Sequence, residues 1–302
     1  MRHDEGATRL GESGKSVVGH RVDAETIGES VEGAAVLQPR RSRCISAAHH
    51  PGSARRCHSR LRPGWLGPAG GGGVHPYVEC GTTEQTNAAF LADNTPDDET
   101  EEQAKQEGWK AFARQCRDAS GELLDHVSTI ENVRDLDLLR HLLGAEKLNY
   151  LGWSYGTFVG ATYAELFPER SGHLVLDSAV DISVPSSPLL GVGGFEKALQ
   201  RFAEWCAGEA SCSLGEDRDA VLTRIDAFLK NLDANPVVMG ERKLTQSVAT
   251  LGLGAALYGA ESTYPQLATA LQRAMDGDGA EMLTYFGIMT GHDGNGWTTR
   301  TY

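Results

Sequence analysis

The chain has 302 residues, of which 40% are hydrophobic and 23% are charged, and its formal net charge is −13. This length is sufficient for a core domain with a second subdomain. The acidic balance argues against nucleic acid or an anionic membrane as a partner, and no apolar run is long enough to cross a bilayer. Residues 1–22 are polar and lack the apolar stretch of a signal peptide, so the sequence shows no export signal.

The N-terminal 76 residues differ in composition from the rest of the chain. Residues 36–68 are rich in Arg, Pro, Ser and His and show no period of 2 or 3.6. Four glycines follow at 70–73, as in a flexible linker. One interpretation of residues 1–76 is therefore a disordered arm.

Two amphipathic helices are predicted between residues 97 and 144. The first is indicated by apolar side chains on one helix face, namely Trp109, Phe112, Ala113 and Cys116. The second is predicted to begin at a capping box of Ser128 and Glu131 and to end at a left-handed cap on Gly144. Its predicted buried stripe consists of Val133, Leu136, Leu139, Leu142 and Leu143.

A strand, a tight turn and another helix are predicted next. The strand covers residues 147–151, the turn 152–156 and the helix 157–167, and a second strand at 174–176 ends at Asp177. The order helix, strand, helix, strand with short links predicts an α/β fold with a mostly parallel sheet. Residues 77–184 are therefore predicted to be the core domain.

Residues 185–302 are predicted to form a helical cap on this core. Three segments there are amphipathic at helical spacing: residues 195–205, 221–232 and 267–275. The sequence contains no internal repeat and does not indicate an oligomeric state.

The predicted turn contains the pattern G-x-S-x-G, which runs from Gly152 to Gly156 around Ser154. Between a strand and a helix this pattern is typical of a nucleophilic serine, because the glycines permit a sharp turn that side chains would obstruct. The N–H of Tyr155 begins the following helix and can point at a developing oxyanion. The alternative is a glycine-rich turn with an incidental serine. The pattern predicts Ser154 as nucleophile and Tyr155 as backbone oxyanion donor.

A serine nucleophile also needs a general base. In the chain order Ser, Asp or Glu, His, only His173 and His292 follow Ser154. His173 precedes a strand and is expected at the opposite end of the sheet, on the surface, while His292 is expected to be a solvated loop residue. Asp177 ends a neighbouring strand and could lie near the site, although a bond to loop backbone is the favoured role. The sequence therefore predicts no catalytic histidine, and this chemistry requires no metal or organic cofactor.

Several runs of residues resemble one known family: 136–140, 148–157, 167–170, 174–177, 205–206 with Cys212, and 240–245. They resemble the secreted tripeptidyl-aminopeptidase-like α/β-hydrolases of actinobacteria, which belong with serine peptidases of the prolyl-aminopeptidase type. The resemblance covers about residues 78–290. It implies an α/β-hydrolase fold with a helical cap, release of short N-terminal units from peptides, and a secreted or cell-envelope location. A carboxylesterase acting on a small ester is the nearest enzymatic alternative.

Two departures from the family pattern lead to a competing hypothesis. Family members are longer, so their catalytic Asp and His are expected beyond residue 302, and their N-P-G-G-P-G oxyanion loop is absent as written. Codons for residues 38–43 and 61–76, read one base later, can spell that loop and the next strand of the family. Residues from before Gln38 to about His75 are therefore hypothesised to be out of frame. The fold is then incomplete at both ends, and the chain is an inactive or weakly active fragment.

The six cysteines include no C-x-x-C pair, which argues against zinc or iron–sulfur ligation. Their spacing alone leaves disulfides and free thiols both open. Given the resemblance, Cys44 and Cys57 are accidents of the suspect segment, and the other four fit two disulfides of an exported relative. Cys206 with Cys212 is the expected pair.

Overall fold

The computed structural model describes residues 34–39, 61–65, 76–183, 189–259 and 261–292. The chain divides into two compact units. Among the described residues, the first unit contains the segments up to Cys80 together with residues 116–183, and the second contains residues 81–115, 189–259 and 261–292. Residues 81–115, which were predicted within the core domain, thus cluster with the C-terminal helices.

A sheet lies at the centre of the first unit. Its strands within the described residues are β1 (Ala34–Pro39), β2 (Leu61–Trp65), β3 (Leu148–Trp153) and β4 (Ser171–Asp177), in the spatial order β2-β1-β3-β4. The predicted parallel pairing is confirmed for β3 and β4, whereas β1 is antiparallel to both β2 and β3. The strands β1 and β2 lie in the region whose sequence shows no hydrophobic period. A strand can still form there, because backbone hydrogen bonds do not require an alternating side-chain pattern.

The helices flank these strands and fill the second unit. Within the described residues they are α1 (Thr83–Phe90), α2 (Glu99–Ser120), α3 (Thr129–Leu142), α4 (Tyr155–Leu166), α5 (Leu189–Gly208), α6 (Arg218–Ala234), α7 (Gln246–Leu257), α8 (Tyr264–Met275) and α9 (Ala280–Thr290). The helices predicted around residues 109–116, 128–144 and 157–167 are confirmed as α2, α3 and α4. None of the described helices is both long and apolar enough to span a membrane.

The core of the first unit forms where α3, α4 and the β3–β4 pair supply apolar side chains. Its buried members are Val133, Leu136, Leu148, Tyr150 and Tyr163. Leu142, predicted in the buried stripe, is instead 71% exposed. At about 100° per residue, Leu142 lies about 180° around the helix from Val133. The face that Val133 and Leu136 define continues through the buried polar residues Asp137 and Arg140.

The second unit is helical, with one short hairpin. Three predicted helical segments are confirmed within α5, α6 and α8, while α7, α9 and the hairpin of β5 (Val237–Met239) and β6 (Arg242–Leu244) were not predicted. Its core draws side chains from several helices, including Phe202, Ile225, Val248, Leu271 and Phe286. Helices α7 and α9 approach closely at Gly252, where an added Cβ would lie 2.7 Å from the Met282 carbonyl oxygen.

Two disulfides lie in the described part of the chain. The expected pair Cys206–Cys212 is confirmed, and Cys80 is bonded to Cys116. The latter two cysteines both belong to the first unit and directly flank residues 81–115 of the second. Cys44 and Cys57 lie outside the described residues.

Candidate active site

Ser154 occupies the single residue between the end of β3 and the start of α4. Its backbone has φ +49° and ψ −122°, a conformation that a residue with a Cβ seldom adopts. Its N–H donates to the carbonyl oxygen of Asp177 at 3.2 Å, and its side chain is exposed. The turn therefore presents the serine hydroxyl to solvent at the carboxyl end of β3.

Glycines make this sharp turn possible. A Cβ added to Gly152 would lie 2.4 Å from the carbonyl oxygen of Gly156, which is backbone and cannot move aside cheaply. At Gly160, an added Cβ would lie 2.6 Å from the Tyr150 ring and 2.7 Å from Leu176. The absence of side chains at these glycines lets α4 pack directly on β3 and β4.

Hydrogen bonds hold the turn from both sides. The Ser154 carbonyl oxygen accepts from the N–H of Thr157 at 2.9 Å and from its hydroxyl at 2.6 Å. The Thr157 hydroxyl oxygen in turn accepts from the Val180 N–H at 2.9 Å. The Tyr150 hydroxyl donates to the Gly156 carbonyl oxygen at 2.7 Å, and burial raises the pKa of Tyr150, so this donor keeps its proton. These bonds fix a backbone conformation that is unfavourable on its own.

The first turn of α4 has no side-chain cap, because the Ser154 hydroxyl does not bond to it. The leading N–H groups of a helix carry partial positive charge and point outward along its axis. Tyr155, the first residue of α4, is 47% exposed, and its hydroxyl shares a hydrogen bond with the Thr129 hydroxyl at 2.5 Å. The turn thus places an uncapped helix N-terminus next to an exposed hydroxyl.

The structure places His173 on the surface and Asp177 at the end of the strand next to β3, as the sequence predicts, and the bond that it shows for Asp177 is made by the backbone carbonyl. Asp177 pairs with Trp153, the residue before Ser154, and its carbonyl bonds to the serine N–H. His173 is exposed and lies four residues earlier on β4, about 13 Å along the strand. Within the described residues, no hydrogen bond joins the Ser154 hydroxyl to a histidine or a carboxylate.

The prediction that His292 is a solvated loop residue is wrong. His292 is 8% exposed, and its ring lies 5.9 Å from that of Phe286 in the second unit. Gly291, with φ +75°, ends α9 and turns the chain back, so that the His292 backbone approaches Gly287 closely. The polar residues around His292 favoured a solvated position, but this chain reversal buries it.

A buried ionic group that the sequence analysis missed joins α3 to α4. Asp137 accepts from Arg140 Nε at 2.8 Å, from the Tyr163 hydroxyl at 2.9 Å and from Arg170. Burial opposes ionisation of Asp137, but these donors outweigh it and hold the pKa of the carboxyl below its usual value. The signal available in the sequence was an Asp and an Arg three residues apart on a face with Val133.

Three carboxylates lie together in the second unit. Oxygens of Asp93, Glu101 and Asp233 come within 4.8 Å of one another. Burial opposes ionisation of Asp93, but hydrogen bonds from Thr95 and Ser247 hold its pKa below the usual value. Carboxylate oxygens are ligands that Ca²⁺ and Mg²⁺ accept, yet attack by a serine hydroxyl on a carbonyl carbon does not depend on such a cluster.

The sequence is similar to those of known proteins. Residues 101–266, more than half of the chain, match the model of the alpha/beta hydrolase fold family. Over 254 residues the chain is 31% identical to the serine protease Hip1 of Mycobacterium tuberculosis, covering 80% of this chain and 48% of that protein.

Two further relatives carry other names. The chain is 36% identical to a tripeptidyl aminopeptidase of Streptomyces lividans over 159 residues, which cover 51% of this chain and 29% of that protein. It is 29% identical to carboxylesterase B of Mycobacterium tuberculosis over 236 residues, which cover 76% of this chain and 45% of that protein. The chain spans about half the length, or less, of these curated relatives. With the strand–serine–helix turn and the matched family model, the chain belongs to the α/β-hydrolase fold family.

Proposed function

We propose that the chain acts as a serine hydrolase on peptide bonds, with Ser154 as nucleophile and the Tyr155 N–H as an oxyanion donor. The observation that carries this proposal is the backbone of Ser154. It holds the serine at positive φ, exposes the hydroxyl and leaves the adjoining helix uncapped. Strain retained at one exposed polar residue is characteristic of functional sites.

In the proposed reaction Ser154 Oγ attacks the carbonyl carbon of the scissile bond while a general base takes its proton. The negative charge passes to the carbonyl oxygen, where the Tyr155 N–H and the positive end of α4 stabilise it. Collapse of this intermediate breaks the C–N bond, protonates the leaving amine and leaves an acyl group on Ser154. Water, deprotonated by the same base, then attacks the acyl ester, the acyl–Oγ bond breaks to release the carboxylic acid, and the proton returns to Ser154 Oγ.

The relatives support two substrate classes. Similarity to a tripeptidyl aminopeptidase supports release of short peptides from a free N-terminus, and similarity to a carboxylesterase supports small esters. A tripeptide p-nitroanilide with a free N-terminus, its N-acetylated counterpart and p-nitrophenyl butyrate separate these classes. Preference for the free N-terminus would identify an exopeptidase, whereas ester turnover without amide turnover would identify an esterase.

A second candidate is a non-catalytic protein that retains the turn as a relic. It is favoured by the lack of a histidine or carboxylate bonded to Ser154 within the described residues. A serine without its base loses several orders of magnitude in rate. The hypothesis that residues from before Gln38 to about His75 are out of frame belongs with this candidate. Resequencing through that region tests it, because confirmation of every residue would contradict it.

Labelling with a fluorophosphonate, followed by peptide mapping, distinguishes the enzyme from the relic. We expect stoichiometric modification of Ser154 and none in S154A. A folded wild-type sample that remains unmodified at Ser154 would overturn the proposed function. Circular dichroism of both proteins provides the control for folding.

We also propose that the protein functions outside the reducing cytosol, in a secreted or cell-envelope location. Two disulfides within the described residues support this location, because such bonds persist in oxidising compartments. Thiol alkylation of the protein isolated from its native cells, before and after reduction, tests it. Alkylation of all four cysteines without reduction would contradict the proposed location.

A further inference from the structure

The first turn of α4 needs a restraint other than a side-chain cap. Four of the described helices begin after a residue whose side chain accepts from a first-turn N–H: Thr82, Ser128, Asp217 and Thr245. Ser154 makes no such bond. Uncapped helix ends fray, and an oxyanion donor must keep a fixed direction to be effective.

The peptide between Ser154 and Tyr155 is held firmly at its carbonyl end. Thr157 donates two hydrogen bonds to that oxygen, at 2.9 Å from its N–H and 2.6 Å from its hydroxyl. The N–H at the other end of the same peptide plane is the proposed oxyanion donor. Its direction also depends on the position of the Tyr155 Cα, which those two bonds do not contact.

The Tyr155 side chain fixes that end through Thr129. Tyr155 is 47% exposed and its ring lies 5.7 Å from the Phe158 ring at a tilt, so burial alone does not lock its rotamer. Its hydroxyl shares a hydrogen bond with the Thr129 hydroxyl on the first residue of α3. This bond joins side chains on two separate helices, so it ties Tyr155 to α3 as well as to its own turn.

Thr129 itself lies on a well-fixed helix end. The Ser128 hydroxyl accepts from the Glu131 N–H at 3.3 Å. The Asn132 amide donates to the Val127 carbonyl at 3.1 Å and to the Ser128 carbonyl at 3.0 Å. The Thr129 hydroxyl therefore offers Tyr155 a rigid anchor.

We propose that Thr129 is a positioning residue for the oxyanion donor. Through the Tyr155 hydroxyl it holds the first residue of α4, and so directs the Tyr155 N–H at the oxygen of the tetrahedral intermediate. Thr129 itself does not touch the substrate. This inference rests on the proposed function of Ser154.

The test measures the rate constant of fluorophosphonate labelling at Ser154, together with kcat and KM on the best substrate, for wild type and Thr129→Val. Valine keeps the shape of threonine and replaces the hydroxyl by a methyl group, which cannot hydrogen-bond. Loss of a whole oxyanion donor costs about 10²–10³-fold in kcat, so a loosened donor is expected to cost less, about 10-fold. The KM should stay within about twofold, since the interaction forms only in the transition state.

Three further variants separate positioning from general stability. Thr129→Ser keeps the hydroxyl and should restore the wild-type rate. Tyr155→Phe removes the same bond from its other end, so it should match Thr129→Val, and the double variant should lose no more than either single one. Equal rates for Thr129→Val and wild type, or additive losses in the double variant, would overturn the role of Thr129. Wild type that is not labelled at all would instead overturn the proposed function and this inference with it.

Discussion

Two serines in the first unit stand directly before helices and have opposite roles. Ser128 precedes α3 in an extended conformation, with φ −67° and ψ 158°, and its hydroxyl accepts from the Glu131 N–H. Ser154 precedes α4 at φ +49° and ψ −122°, and its hydroxyl makes no bond to the helix. The residue type and the position are the same, but the first side chain completes a helix and the second faces solvent.

The difference arises from the backbone around each serine. Val127 alone separates Ser128 from a short 3-10 helix (Gly121–His126), and Ser128 keeps the extended conformation that capping requires. Ser154 follows β3 directly, and its N–H is held by the carbonyl of Asp177. Only the sharp turn allowed by Gly152 and Gly156 then joins strand to helix. Ser154 cannot cap α4 because its backbone is not extended, and its hydroxyl is therefore free of the helix and can act as a nucleophile.

The largest expected effect comes from removing the exposed hydroxyl. Ser154→Ala should abolish fluorophosphonate labelling and lower peptide or ester hydrolysis by at least about 10³-fold. Its free energy of unfolding should stay within about 0.5 kcal/mol of wild type, because no hydrogen bond is lost from the fold. Hydrolysis assays and urea unfolding measure the two quantities. Undiminished hydrolysis would show that another residue is the nucleophile.

The comparison of the two helix ends depends on α3 and α4 keeping their relative position. Asp137 on α3 accepts from Tyr163 on α4 and from Arg140 on its own helix, so Asp137→Asn removes the charge at this link and should lower the free energy of unfolding at pH 7 by about 3 kcal/mol. The folded-state pKa of Asp137 lies below its unfolded value, so this stabilisation is present above that unfolded value. It is lost as pH falls below about 4.

Urea unfolding of wild type and Asp137→Asn between pH 3 and pH 7 measures this dependence. The stability gap between the two proteins should narrow toward the acid end of the series. A gap that is constant across pH would mean that packing, and not the charge, accounts for the loss.

The sharp turn itself can be broken at Gly152. Gly152→Ala places a Cβ 2.4 Å from a backbone oxygen, and should cost about 2 kcal/mol of stability and slow the labelling of Ser154. Gly108→Ala is the matched control, since an added Cβ there meets nothing within 4 Å. That control lies in exposed helix and should gain about 0.5–1 kcal/mol. Thermal unfolding and labelling rates compare the two, and an unaffected Gly152→Ala would show that the turn can relax.

The smallest effect is expected at the capping serine. Ser128→Ala removes the bond to Glu131 and should cost about 1 kcal/mol of stability. Ser154 should still be labelled in this variant, in contrast to Ser154→Ala. Urea unfolding and quantitative labelling test the pair. Loss of labelling in Ser128→Ala with an intact fold would mean that the cap and the nucleophile are not separable.

Features set by neighbouring residues could be predicted from the sequence. The turn around Ser154 follows from two glycines within two residues of it, and helices such as α2 and α6 follow from their apolar periodicity. The left-handed cap at Gly144, with φ +67°, is local in the same way and is confirmed. Local chemistry therefore located both the serine and the helix that begins after it.

Features set by distant parts of the chain could not be predicted. The antiparallel pairing of β1 depends on backbone partners far away in sequence, and the Thr129–Tyr155 bond requires two helix ends to meet. Only one of the two hydrogen bonds of the predicted capping box at Ser128 is present. Ser128 caps the helix, but the Glu131 carboxylate accepts from Arg134 instead. A flexible side chain has several partners within reach, and sequence spacing does not rank them.

The Cys80–Cys116 disulfide has a consequence for how the chain responds to proteolysis. The bond joins Cys80 and Cys116, the two residues of the first unit between which the chain passes through the second unit at residues 81–115. A protease that cuts the connection between α1 and α2, at residues 91–98, would therefore produce two polypeptides that remain one covalent molecule. Such a nicked molecule would migrate as a single band without reductant and as two bands with it.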